Sequence, residues 1–264
     1  MRTGILLALA LVGALSAAAP ASAQPQSGVA RPPDEERLPL RELGEQLYAG
    51  NCSMCHGADA RGQLRPRRSS EGIMGQGPSL RGVGAQSVDF YLRTGYMPLA
   101  EPSEQPERRR PLFNDHEIRA LVDYVSSLPP PGPPIPHPDP GKGNFAEGYE
   151  VFTEHCAGCH QVVARGGVAT GARVPPLEDS TPTQIAQAVR VGPYLMPKFS
   201  DKEITNAELD SLIRYAEMSA KHPYDEGGWG IGNIGPVPEG MVTWMLAAVA
   251  FVLMCLVIGS RLRR

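Results

Sequence analysis

The chain has 264 residues, of which 29 are glycine and 27 proline, with 6% aromatic and 20% charged side chains; so much turn and linker excludes one large continuous core. Its 25 basic and 28 acidic side chains leave a formal charge of −3, with no basic surplus to grip a phosphate backbone, so nucleic acid is excluded as a partner. Five cysteines are too few to staple a chain of this length, and four of them fall in two close pairs, which points to ligation.

Residues 1–23 read as a secretory signal: Arg2 starts it, an apolar stretch runs from Ile5 to about Ala19, and Ala21, Ser22 and Ala23 make a small-residue cleavage pattern. An uncleaved N-terminal anchor is the alternative. Either one exports the domains beyond it.

A first domain is expected over residues 24–128. Leu40, Leu43, Leu47 and Tyr48 fall at helical spacing and lead into Asn51, Cys52, Ser53, Met54, Cys55, His56 and Gly57. A second helical stretch, Ser87 to Leu92, leads into Arg93, Thr94, Gly95, Tyr96, Met97 and Pro98. Ile118, Leu121, Val122 and Val125 predict a closing helix, with Asn114 and Glu117 as its capping box.

In residues 129–140 eight of twelve are proline, which predicts an extended, stiff spacer reaching up to about 37 Å at ~3.1 Å per residue. A second domain, 141–226, then repeats the first at a spacing of 104 residues: His155, Cys156, Ala157, Gly158, Cys159, His160. Phe145, Tyr149, Val151 and Phe152 predict the helix before it. Leu209, Leu212, Ile213 and Ala216 predict the closing helix, capped by Thr205 and Glu208. Met196 stands in Arg190, Val191, Gly192, Pro193, Tyr194, Leu195, Met196, Pro197. This second domain is the more acidic of the two, a charge that attracts positively charged partners.

A Gly/Pro linker, 227–240, hands over to Met241–Gly259, an uncharged apolar run of 19 residues that rises roughly 28 Å, about the hydrocarbon thickness of a bilayer. A buried core helix is the alternative for such a run. Arg261, Arg263 and Arg264 in the tail 260–264 place the C-terminus in the cytoplasm and the domains outside, with Trp244 near the outer interface. The chain is therefore read as a single-pass protein of the cell membrane. Cys255 lies in the span and is read as a small apolar residue.

A Cys-x-x-Cys-His segment is the attachment signature of haem c. A separation of three residues on a helical turn brings both thiols to one edge of a porphyrin, and the adjacent imidazole can point at the iron. Zinc wants four protein ligands, and neither domain offers two more Cys or His at a knuckle-like spacing; a thioredoxin-like redox pair needs a strand and helix context that is absent. Two covalently bound haem c groups are therefore expected, at Cys52, Cys55 and His56 and at Cys156, Cys159 and His160. Because haem would supply apolar core to domains poor in aromatic residues, folding is expected to depend on it.

For the far axial position, Met97 and Met196 stand 41 and 36 residues after their histidines, each before a proline that drives the methionine out of helical conformation. They are the expected sulfur ligands. Met54 lies inside the attachment loop, while Met74, Met218, His116, His137 and His222 have no counterpart in the other copy and are read as structural or surface residues. His155 is expected to be exposed. A carbonyl near Pro78 and near Pro176 is expected to accept the other imidazole N–H, raising ligand basicity. His and Met ligation favours one-electron transfer at relatively high potential, because a thioether stabilises ferrous iron. No protein base, nucleophile or substrate pocket is evident.

These residues resemble class I cytochromes c in two tandem copies. The order of signal, two haem domains and one span, with Gly235 to Met241 entering the span and Leu195 to Phe199 at the second methionine, resembles the dihaem cytochrome c subunits of actinobacterial cytochrome bcc (quinol–cytochrome c reductase) complexes. The resemblance implies an all-α fold of two class I cytochrome c domains plus a C-terminal transmembrane helix. It also implies a translocase subunit, itself an electron carrier without a substrate site, that takes electrons from a Rieske iron–sulfur protein beside cytochrome b and passes them to cytochrome c oxidase. The Arg61–Arg68 segment and the Glu101–Arg110 insert depart from the pattern and are expected to be local loops. The alternatives are the electron-accepting cytochrome c subunit of a membrane-bound dehydrogenase and a dihaem peroxidase with one open haem.

Overall fold

A computed structural model of the chain describes residues 28–63, 67–69, 72–74, 77–99, 105–169, 171–221 and 236–262. The expected export signal, His222, most of the 227–240 linker, parts of the 61–68 and 101–110 segments, and Arg263 and Arg264 lie outside the described residues. The chain divides into two compact units at Ile135 and Pro136.

The first unit carries α1 (Leu40–Asn51), the single turn α2 (Ser53–His56), a hairpin of β1 (Arg67–Ser69) and β2 (Gly72–Met74), α3 (Gly84–Arg93) and α4 (Asp115–Ser126). The second opens on a 3-10 turn, Pro140–Lys142, and repeats that order with α5 (Phe145–His155), α6 (Ala157–His160), β3 (Gly167–Ala169), β4 (Ala172–Val174), α7 (Pro182–Val191) and α8 (Asn206–Lys221), with α9 (Pro236–Leu262) after it.

The closing helices start where their caps predict. Asn114 Oδ1 accepts from the Glu117 N–H at 2.9 Å while Glu117 Oε2 accepts from the Asn114 N–H at 2.6 Å, satisfying two N–H groups that a helix start otherwise leaves orphaned. Thr205 and Glu208 do the same for α8, at 3.3 and 2.7 Å. A third box, Thr181 with Gln184 and Pro182 at the first turn, starts α7; it adds a local start signal to the two expected ones.

Each core is built by the first and last long helices of its unit crossing backbone to backbone. A Cβ on Gly44 of α1 would lie 2.0 Å from the Ala120 carbonyl oxygen of α4, and one on Gly148 of α5 would lie 2.0 Å from that of Ser211 on α8. This approach lets Leu43, Leu47, Ile118, Leu121 and Val125 bury together in the first unit, and Phe152, Leu209, Leu212, Ile213 and Ala216 in the second. Phe145 and Tyr149 stay half exposed, their rings set at an angle against Tyr215 at 5.3 and 5.5 Å.

The helical framework is the expected one, with one addition per unit. Between the Cys-x-x-Cys-His turn and the next helix lies an antiparallel hairpin, Arg67 opposite Met74 in the first unit and Gly167 opposite Val174 in the second. Strands of three residues are too short to write a period-two pattern into the sequence. Arg67 and Arg68, expected in a loop, form β1.

Two further details concern the connections. The first part of the Pro-rich segment lies against the first unit: the Gln86 N–H donates to the Pro133 carbonyl at 3.3 Å and Arg81 Nη1 to that of Pro129, also at 3.3 Å. The apolar helix starts at Pro236, before the end of the expected linker, because proline fits the first turn of a helix where no N–H is needed. Within it Gly240–Leu262 is long and apolar enough to cross a membrane.

Candidate functional site

Helix α1 ends at Asn51, and Cys52 opens a single turn in which the Cys55 and His56 N–H groups donate to the Cys52 carbonyl at 3.1 and 2.9 Å. The second unit repeats these bonds, Cys159 and His160 to Cys156, at 3.1 and 2.9 Å. Both thiols and the imidazole of each triplet are thus carried on one rigid turn. Burial first, and the neighbouring Cys55 or Cys159 second, push the thiols of Cys52 and Cys156 up to about 12. They are neutral thiols, unlike the activated thiolate of a redox pair.

Each imidazole is oriented by a backbone carbonyl. His56 Nδ1 lies 2.8 Å from the Pro78 oxygen, as expected; His160 Nδ1 lies 3.2 Å from that of Pro175, one residue before the expected Pro176. A carbonyl only accepts, so Nδ1 carries the proton and Nε2 presents its lone pair. Burial holds the His160 imidazole below its ordinary value, opposed by the bond to Pro175, which keeps it neutral and suited to a metal. Gly77 makes room for this arrangement in the first unit: a Cβ there would sit 2.8 Å from His56 Nδ1 and 2.6 Å from the Cys55 oxygen.

In the first unit Cys52, Cys55, His56 and Met97 line one cleft, partly open to solvent, whose remaining wall includes Leu92, Leu99 and Phe113. Thiols, imidazole and thioether facing one apolar space are a donor set that fits an iron porphyrin. Met97 is half buried against the core, its N–H donating to the Tyr91 oxygen at 3.1 Å. In the second unit Met196 is likewise half buried against the cluster that contains Cys156, on a loop that leaves α7 through Gly192 at φ +66°.

The other candidates lie elsewhere. Met54 is 52% and Met218 42% exposed, His137 is exposed and His116 half buried, and none of them lines the cleft. Met74 ends β2, its side chain outside the described residues. His155 is exposed with its ring on Phe199 at 5.5 Å.

Sequence reasoning missed the groups that hold these parts in place. The Tyr48 hydroxyl, from α1, donates to the Gly57 oxygen just beyond His56 at 2.7 Å; the Tyr215 hydroxyl, from α8, donates to the Val162 oxygen just beyond His160 at 2.8 Å. Arg190 is another such group, and aligning the two copies beyond their motifs brings it out.

The cytochrome c family profile matches residues 42–129, and the profile described as cytochrome c oxidase, cbb3-type, subunit III matches residues 143–215. The chain is 34% identical to the cytochrome bc1 complex cytochrome c subunit of Mycobacterium tuberculosis over 98% of its own length and 90% of that protein's. It is 32% identical to the subunit of the same name from Corynebacterium diphtheriae, over 90% and 86%. Among solved structures, a reducing HAO-like protein complex of Kuenenia stuttgartiensis aligns at a TM-score of 0.36 and 16% identity, covering 67% of this chain and 95% of that one.

Proposed function

The chain belongs to the family of cytochrome bc1 complex cytochrome c subunits, and from that membership we propose that it is a membrane-anchored dihaem electron carrier that takes single electrons from a Rieske iron–sulfur protein and passes them to cytochrome c oxidase. The coarser part stands on the relatives: a cytochrome c subunit of a bc1-type redox complex, whose domains imply haem c. What supports two haems is the duplicated turn of two thiols and a carbonyl-oriented imidazole, opening in the first unit on a cleft that also holds Met97; the route is read from the bc1-type relatives.

Haem c, when bound, supplies a one-electron iron couple. Cys52 and Cys55, and Cys156 and Cys159, would hold it by thioether bonds, and His56 and Met97, and His160 and Met196, would supply ligands to its iron. The Pro78 and Pro175 carbonyls fix the imidazole planes and tautomers, which limits reorganisation of the site between charge states. Leu92, Leu99 and Phe113 give the first site an apolar wall. No side chain in this reading moves a proton or attacks a substrate, so quinol oxidation falls to partner subunits.

In this reading residues 24–128 and 141–226 are the two haem domains, on the extracytoplasmic side. The helix Gly240–Leu262 anchors them, and the arginines after it keep the C-terminus cytoplasmic. Purification of the tagged chain in mild detergent tests the assignment. The expected companions are cytochrome b, a Rieske protein and oxidase subunits, with quinol reducing the c haems of the preparation; recovery with a dehydrogenase instead would replace it.

A further inference from the structure

Met196 sits on a loop running from Gly192 to Thr205, and a loop of that length samples many conformations unless it is tied down. Its backbone ties are local: the Met196 N–H donates to the Pro193 oxygen and the Phe199 N–H to that of Val189, both at 3.0 Å, and the Glu203 and Ile204 N–H groups donate to the Ser200 oxygen at 3.1 and 3.0 Å. Ser200 and Thr205 are bonded to nearby Glu203 and Glu208; the side-chain ties that span the loop from one end to the other converge on one residue. Arg190, on the last turn of α7, is only 9% exposed. Its Nη1 donates to the carbonyls of Phe199 and Ile204 at 3.3 and 2.8 Å, its Nη2 to Asn206 Oδ1 at 2.9 Å, and its Nε lies 3.0 Å from Asp201 Oδ1. One guanidinium therefore reaches the loop just after Met196, the loop's far end and the start of α8. Its fixed fork of donors suits it to this in a way a lysine ammonium does not.

We propose that Arg190 is the positioning residue for the second thioether, holding the loop closed so that Met196 stays at the haem iron. This rests on the reading of Met196 as an axial ligand. The first unit has an arginine in the same place, two residues before the glycine that opens the methionine loop. Arg93 pairs with Asp89 at 2.6 Å and with Asp115, the first residue of α4, at 2.8 Å. In both copies the arginine links the helix before the methionine to the start of the closing helix; in the second it also grips the loop itself.

Competition by imidazole for ferric iron in the full-length, detergent-solubilised holoprotein tests this. The apparent affinity of an incoming ligand scales with the fraction of molecules in which the loop is open, so a tenfold rise in that fraction lowers the apparent Kd about tenfold. Arg190→Met is expected to tighten imidazole binding about tenfold at one of the two haems and to weaken the sulfur-to-iron absorption band by up to half, with Arg190→Lys intermediate. Should Arg190→Met fail to assemble, Asn206→Ala removes one acceptor and leaves the arginine, with an expected tightening of about threefold. Unchanged imidazole affinity in an assembled Arg190→Met, or in Asn206→Ala where Arg190→Met fails, overturns the proposal. Met196→Ala separates the two levels: it should abolish half of the sulfur-to-iron band, and a full band there removes the ligand assignment and this proposal with it.

Discussion

Two tyrosines at non-equivalent positions supply the same kind of hydrogen bond. The repeat places Phe152 where the first unit has Tyr48, and Tyr215 where it has Tyr124; the ring pairs survive, at 5.4 Å for Tyr48 with Tyr124 and 5.2 Å for Phe152 with Tyr215. What changed sides is the hydroxyl that satisfies a carbonyl just beyond the histidine of each Cys-x-x-Cys-His turn. Burial pushes the Tyr48 phenol above its ordinary 10.0, so it remains a donor. Tyr48→Phe leaves the buried Gly57 oxygen with only the longer bond from the Ala60 N–H, at 3.2 Å, and is expected to cost about 1 kcal/mol, read as a lower urea midpoint for one of two unfolding transitions. Because the units are duplicates, Tyr215→Phe combined with Phe152→Tyr is expected to recover part of the loss of Tyr215→Phe alone. The second hydroxyl would then come from α5 onto the Gln161 carbonyl, the counterpart of Gly57.

Helices meet through glycine here, and the sequence carried that information only in its repeat. Gly44 and Gly148 interrupt α1 and α5, where glycine costs helix stability, so the helix pattern counts against them; the carbonyls they approach lie far along the chain. Gly148→Ala places a methyl 2.0 Å from the Ser211 oxygen. It is expected to destabilise the second unit by about 3 kcal/mol, measured as an early unfolding transition with the first unit unaffected. The caps, by contrast, were legible, because a capping box is local chemistry within four residues. They carry a pH signature. The Glu208 carboxyl is held below its ordinary 4.5, first by the Thr205 N–H and then by the Thr205 hydroxyl. A lowered folded value means the contribution is present above 4.5 and lost as pH falls through the depressed value. The stability advantage of the wild type over Glu208→Gln is therefore expected to shrink below pH 4.5; an advantage constant down to pH 3 would contradict it. The Cys-x-x-Cys-His turns and the helix order were legible for the same local reason. The Pro175 carbonyl, the hairpins and the contacts of Arg190 were not, since each depends on where a loop returns in space.

At the scale of the molecule, two independently cored units and one apolar helix are joined by segments rich in proline and glycine, so each part is expected to survive loss of another. A chain ending at residue 235 is expected to be recovered from the soluble exported fraction with both haems in place. The same chain found tightly bound to membranes would instead point to an anchor elsewhere. Covalent attachment at both triplets is the claim on which electron carriage depends, and a pyridine haemochrome assay of the purified chain measures it. Two c-type equivalents per polypeptide are expected, falling to one when Cys52 and Cys55 are both replaced by alanine. One equivalent in the wild type, or two in that variant, would rule out haem at both triplets.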